Sequence, residues 1–143
     1  MSLKNFGAVM DFAIQLENGD ASFLEQVLHN PEMQGNREVL EGLAKENKKN
    51  SKTLSRARQE NVTEMILEPI QGLESEEYQT DRPEPEDMDG GELVAKLVEL
   101  EDRAERFYRE AAERIKPVSD VAGTFQRLAK KRKARREKLD ALS

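Results

Sequence analysis

The sequence predicts an all-α protein, a single domain over residues 1–143 in which four helices close into one bundle. Three observations carry that reading. Apolar residues recur at intervals of three and four in four separate stretches, the period of a helix with one buried stripe. Charged residues make up 36% of the chain and aromatic residues 5%, with no tryptophan, a balance that suits amphipathic helices better than a β-sandwich. Residues 68–91 concentrate Pro69, Pro83 and Pro85 among acidic side chains, which divides the chain into two helical hairpins joined by one long connection.

The first helix is expected at about residues 3–28. Phe6, Val9, Met10, Ala13, Leu16, Leu24 and Val27 form its stripe, with Glu17 and Asp20 in the middle of it. Gly19 costs about 1 kcal/mol of helix propensity against Ala, so close packing by a neighbour is the expected reason for it. His29-Asn30-Pro31 reads as a stop and restart, with Asn30 as cap and Pro31 at the first helical position. The second helix is expected at about 32–67, past a short turn at Gly35-Asn36. Its stripe is Leu40, Leu43, Asn47, Asn50, Leu54, Ala57 and Asn61.

The connection at 68–91 is acidic and is expected to be mobile in part. It far exceeds the usual helix–helix link of about 2–8 residues. It can run the whole length of a bundle, about 40 Å for a helix of ~26 residues rising 1.5 Å each, so a long crossover with helices 2 and 3 parallel is expected. The third helix, at about 92–115, has the stripe Leu93, Leu97, Leu100, Ala104, Phe107, Tyr108, Ala111 and Ile115. Glu101 interrupts it, at i+4 from Leu97 and i−3 from Ala104. Lys116-Pro117 ends that helix, and Ser119 or Asp120 can cap the fourth, at about 119–141. Its stripe is Val121, Phe125, Leu128, Arg132, Arg135, Leu139 and Leu142.

The two halves echo each other. Leu16-Glu17 followed by Phe23 recurs 84 residues later as Leu100-Glu101 followed by Phe107, and Leu43-Ala44-Lys45 recurs 85 residues later as Leu128-Ala129-Lys130. Asn47 and Asn50 then correspond to Arg132 and Arg135, so the polar interruptions of all four stripes sit at matching depth.

On these residues the chain resembles the ferritin-like superfamily, and rubrerythrin-like proteins in particular, over roughly Phe6 to Arg58 and Glu92 to Leu142. The run Leu-Glu-x-x-Ala-x-x-Phe-Tyr at Leu100 to Tyr108 is similar to the first or third helix of that family. The run Phe-x-x-Leu-Ala-Lys-Lys from Phe125 is similar to the second or fourth. The resemblance implies a bundle holding two irons through a Glu from each of two helices and a Glu-x-x-His from each of the other two. Glu17 and Glu101 match the single glutamates. Asn47 and Asn50, and Arg132 and Arg135, stand where the Glu-x-x-His pairs would be. An arginine does not deprotonate at useful pH, and two guanidinium groups repel a cation. The expectation is therefore a central polar layer of Glu17, Asn47, Asn50, Glu101, Arg132 and Arg135, in which the charges of the two glutamates and two arginines cancel in place of a di-iron centre. The alternative for the arginines is that their long side chains snorkel to the surface.

No catalytic, cofactor-binding or metal-ligating residue is assigned, and the expected role is binding or assembly by a metal-free bundle. The alternative is a di-iron carboxylate protein, with iron held through an atypical set that uses Asp20, Glu46 or Asp102. The absence of cysteine excludes disulfides, iron–sulfur clusters and thiol nucleophiles, and the single histidine, His29, excludes a site of two imidazoles within one chain. A net charge of −6 gives no general reason to expect nucleic acid or an anionic membrane as partner. The basic run Ala129 to Lys138 looks like a nucleic-acid or calmodulin-type helix, but it lacks interleaved aromatics and reads as a solvated face. Apolar runs are short, so neither a signal peptide nor a membrane span is expected and the location is expected to be cytoplasmic. Val94, Val98, Met65 and Ile66 suggest second apolar faces and a homodimer.

Overall fold

The computed structural model describes residues 2–60, 70, 72–115 and 119–142. Four helices pack against one another: α1 (Phe6–Val27), α2 (Arg37–Glu60), α3 (Gly90–Arg114) and α4 (Ser119–Asp140). Apart from one isolated bridge between Ser2 and Glu74, no β-structure occurs among the described residues. The closest pairings are α1 with α2 and α3 with α4, which makes two helical hairpins.

The local chemistry fixes the boundaries. Asn5 caps α1 by accepting from the Ala8 amide at 2.8 Å, and Asn30 accepts from the Glu32 amide at 2.9 Å, ahead of Pro31. The segment after Asn30 differs from expectation. Pro31–Asn36 is a 3₁₀ segment, and α2 proper starts only at Arg37. Asn61, Met65 and Ile66 lie outside the described residues. α3 begins two residues earlier than expected because Asp89 and Glu92 form a reciprocal capping box, with bonds of 2.8 and 3.1 Å. Ser119 is the first helical residue of α4, and the position before it is not described.

The core has two apolar halves. One contains Phe6, Met10, Leu16, Leu54, Phe107 and Phe125. The other contains Phe23, Leu24, Leu40, Leu43, Leu97 and Leu139. α1 and α4 pass from the first half to the second along the chain, and α2 and α3 pass the other way. Every helix crosses between the halves at its polar interruption. Val94 and Val98, which the sequence places on a second apolar face, pack with the second half of the core, Val94 buried and Val98 partly buried. Val39, 37% exposed, is the one large hydrophobic exposed among the described residues. No helix among the described residues is long and apolar enough to cross a membrane.

The connection is more ordered in its contacts than its composition suggests. Leu3 donates to the Leu73 carbonyl at 2.9 Å and Ile70 to the Lys4 carbonyl at 2.8 Å, which ties its start to the chain ahead of α1. Gly72 turns between them at φ +83, a conformation that favours glycine. Tyr78 is buried and packs edge-on against Phe107 at 5.2 Å. Further along, Asn30 donates to the carbonyls of Pro85 and Met88 at 2.9 and 3.0 Å. The described part of the connection therefore lies along α1 and α3, from beside the start of α1 to beyond its end.

Candidate functional site

Between the two apolar halves lies a layer of buried polar side chains contributed by all four helices. Glu17 of α1 is fully buried, and Asn47, Asn50, Glu101, Arg132 and Arg135 are each at least 96% buried. The helical period explains why. Each residue sits on its helix's apolar stripe at the point where the two hairpins cross from one core half to the other.

Arg132 is the hub. Its Nη2 donates to Glu17 Oε2 at 2.8 Å and lies 3.0 Å from Asp20 Oδ2, while its Nη1 donates to both carboxylate oxygens of Glu101. Arg135 adds a bond from Nε to Glu101 Oε2 at 2.9 Å and one from Nη2 to Asn47 Oδ1 at 2.9 Å. Asn47 in turn donates to Glu17 Oε1 at 2.8 Å, and Asn50 donates to the same oxygen at 3.4 Å. Both arginines have their charged ends inside, so neither snorkels.

Three further participants join the layer in roles that the helical pattern does not mark. Tyr108 donates its hydroxyl to Glu17 Oε2. Arg103, 8% exposed, donates to Asp20 Oδ1 at 2.7 Å. Arg82, from the connection, donates to the same oxygen at 2.9 Å. Gly19 is what lets Arg82 approach: a β-carbon there would meet its guanidinium at 2.7 Å. The close neighbour expected at Gly19 is thus an arginine. The buried groups Glu17, Asp20 and Glu101 are balanced by Arg103, Arg132 and Arg135.

Burial raises the proton affinity of a carboxylate, and nearby guanidinium groups lower it. At Asp20 burial is overcome by Arg132, Arg103 and Arg82, and the carboxyl is held below its usual range. At Glu101 burial prevails over Arg132 and Arg135, and the carboxyl is pushed up. Burial works against the charge of Arg132, yet Glu101, Glu17 and Asp20 hold it well above the ordinary arginine value. Burial and then Glu17 push the Tyr108 hydroxyl well up, which keeps it a donor.

This donor set does not fit a metal ion. Both oxygens of Glu17 and both of Glu101 already accept hydrogen bonds, from guanidinium, amide or phenol donors. The remaining polar positions of the layer are held by asparagines and arginines. Of the alternative ligands, Asp20 is shared among three arginines. Glu46 is half-buried and lies 3.4 Å from Arg135, and Asp102 is on the surface, paired with Arg136 at 2.8 Å. Among the described residues no group of three or more His, Cys, Asp and Glu is placed to hold a metal ion. No protein-family model matches the sequence, and no curated protein or solved structure is significantly similar to it.

Proposed function

We propose that this chain is a ferritin-like bundle without a metal, acting by binding or assembly rather than catalysis, with a Glu/Arg ionic layer where a di-iron centre would stand. The observation that carries the reading is the Arg132 guanidinium seated between Glu17 and Glu101, the two residues that match the family's single glutamates. A cation's place is filled by a fixed side-chain charge, and unpaired buried carboxylates, which would be costly, are avoided. Ferritin-like connectivity is supported by the opposed sense of the helices, α1 with α4 and α2 with α3. It is supported also by the contacts of the connection along α1.

A homodimer is kept as the simplest assembly, but Val94 and Val98 no longer support it. The test of the metal-free reading is elemental analysis of protein purified without chelators. Substoichiometric iron, manganese and zinc are expected. Stoichiometric iron would replace this reading with a di-iron carboxylate protein.

A further inference from the structure

The net charge of −6 is an average over two opposed faces. α2 and α4 together carry fifteen Lys and Arg against seven Asp and Glu; α1, residues 70–89 and α3 carry six against nineteen. The fold keeps these groups apart. α2 contacts α4, α1 contacts α3, and the acidic connection lies over α1 and α3. One broad side of the bundle is therefore basic and the opposite side acidic.

The basic side is also available. On α2, Lys45, Lys49, Lys52 and Arg56 are exposed, and no ion pair joins them to a described residue. On α4 the same holds for Lys130, Lys131, Lys133 and Lys138. The acidic groups among them are few. Between Lys45 and Arg56 there is only Glu46, engaged by Arg135, and between Lys130 and Lys138 only Glu137. The inward turn of Arg132 and Arg135 takes two charges out of the basic run but leaves its four lysines exposed, Lys131 and Lys138 on the flank of α4 nearer α2.

We infer that the α2/α4 face binds double-stranded nucleic acid through its phosphate backbone. Stable protein–protein interfaces rely on buried aromatic and arginine anchors and are poor in lysine, and among the described residues this face offers no exposed aromatic and only one large exposed hydrophobic, Val39 near the start of α2. Phosphate binding needs none, because release of condensed counterions supplies the affinity. The lack of aromatics also disfavours single strands, which are held by stacking. Contacts of this kind carry no sequence information, so binding is independent of sequence. The inference rests on the reading of the bundle as a binding protein, but not on its being metal-free, so iron content and nucleic-acid binding can fail separately.

The test is fluorescence anisotropy of a labelled 20-base-pair DNA duplex titrated with the full chain at several salt concentrations. About five phosphate contacts give a slope of log K against log salt of about −4.5, a loss of about 500-fold between 50 and 200 mM salt. Two quadruple variants divide the face: Lys45, Lys49, Lys52 and Arg56→Gln on α2, and Lys130, Lys131, Lys133 and Lys138→Gln on α4. Each is expected to lower affinity at least tenfold and to flatten the slope, by about one for each phosphate that the variant no longer neutralises. A control on the acidic side, Lys96→Gln with Arg109→Gln, is expected to leave binding unchanged. All these positions are exposed except Lys96, which is partly buried, and circular dichroism verifies the fold of each variant. No duplex binding at 50 mM salt would overturn the inference, as would equal losses in the control. So would salt-sensitive self-association abolished by the same quadruple variants, which would assign the face to the acidic side of a second copy.

Discussion

Arg132 donates to Glu17 across 115 residues of sequence, joining the last helix to the first at the centre of the bundle. Both groups are almost wholly buried, 1% and 0% exposed at the side chain. The pair therefore belongs to the regime in which removing one partner strands a charge, at a cost of about 3–5 kcal/mol. An exposed pair would cost roughly 0–1 kcal/mol. Arg132→Ala and Glu101→Ala should each lower stability by the larger amount in urea unfolding. Joint replacement of Glu17, Glu101, Arg132 and Arg135 by apolar residues of similar volume should recover much of it, because the desolvation of the ions is removed with their attraction. A loss below about 1 kcal/mol for Arg132→Ala would mean that water reaches the layer.

Asp20 gives the layer a definite response to acid. Its carboxyl is held below the usual range in the folded chain, whereas in the unfolded chain it titrates near its ordinary value of about 3.9. The stability it contributes is therefore present above about pH 4 and is lost as pH falls toward its folded value. Measured against Asp20→Asn, the wild-type advantage should be constant from about pH 5 to 7 and shrink below about pH 4. An advantage that persists unchanged far into the acid range would show that the carboxyl is not held low.

Gly19 and Arg82 form a coupled pair. Adding a β-carbon at Gly19 gains helix propensity of about 1 kcal/mol but displaces the Arg82 guanidinium, a mobile side-chain end rather than backbone. The two effects oppose, so Gly19→Ala should change stability by less than about 1 kcal/mol. In an Arg82→Ala background the clash is gone, and the same substitution should stabilise by nearly the full propensity gain. The difference between the two backgrounds is the coupling energy; strict additivity would mean that Arg82 does not lie over Gly19 in solution.

The positions of the central layer are legible in the sequence because the helical period carries them. Glu17, Asn47, Glu101 and Arg132 fall on apolar stripes, and the repeat aligns them in depth. Tyr108, seven residues after Glu101 and on the same face, is visible as a stripe residue, but not as a hydroxyl that serves Glu17. Arg103 follows Leu100 by three and precedes Phe107 by four, yet a lone arginine there looks like a stem lying over a core. Its meaning depends on Asp20 of another helix, a relation that spacing within one helix does not encode. Arg82 has no legible place at all, since a proline-broken segment has no period from which to read its path. Gly90 and Gly91 hide the start of α3, because they mask the capping box formed by Asp89 and Glu92. Val94 looks like a surface residue in the sequence because α3 is buried over more than one stripe. The net charge conceals the two faces because only the fold says which helices are neighbours.

The sharpest trial of the ionic layer is to reverse it. Changing Asn47 and Arg132 to Glu, and Asn50 and Arg135 to His, sets a Glu-x-x-His on α2 and on α4, opposite Glu17 and Glu101. The two inward guanidinium charges disappear and two carboxylates are added at the same depth, so the metal-free variant holds an uncompensated negative cluster. It should be markedly less stable than the parent. Divalent cations compensate that charge and bind the folded state alone, so ligand linkage should restore stability as their concentration rises. Ferrous iron added without oxygen is expected to raise the melting temperature of the variant and to bind at up to two per chain, while the parent shows neither effect. Zinc and manganese should stabilise the variant in the same sense. A folded fourfold variant whose melting temperature ignores all three ions would mean that the four positions do not converge on a common site, and the proposed likeness of this layer to a di-iron centre would fall with it.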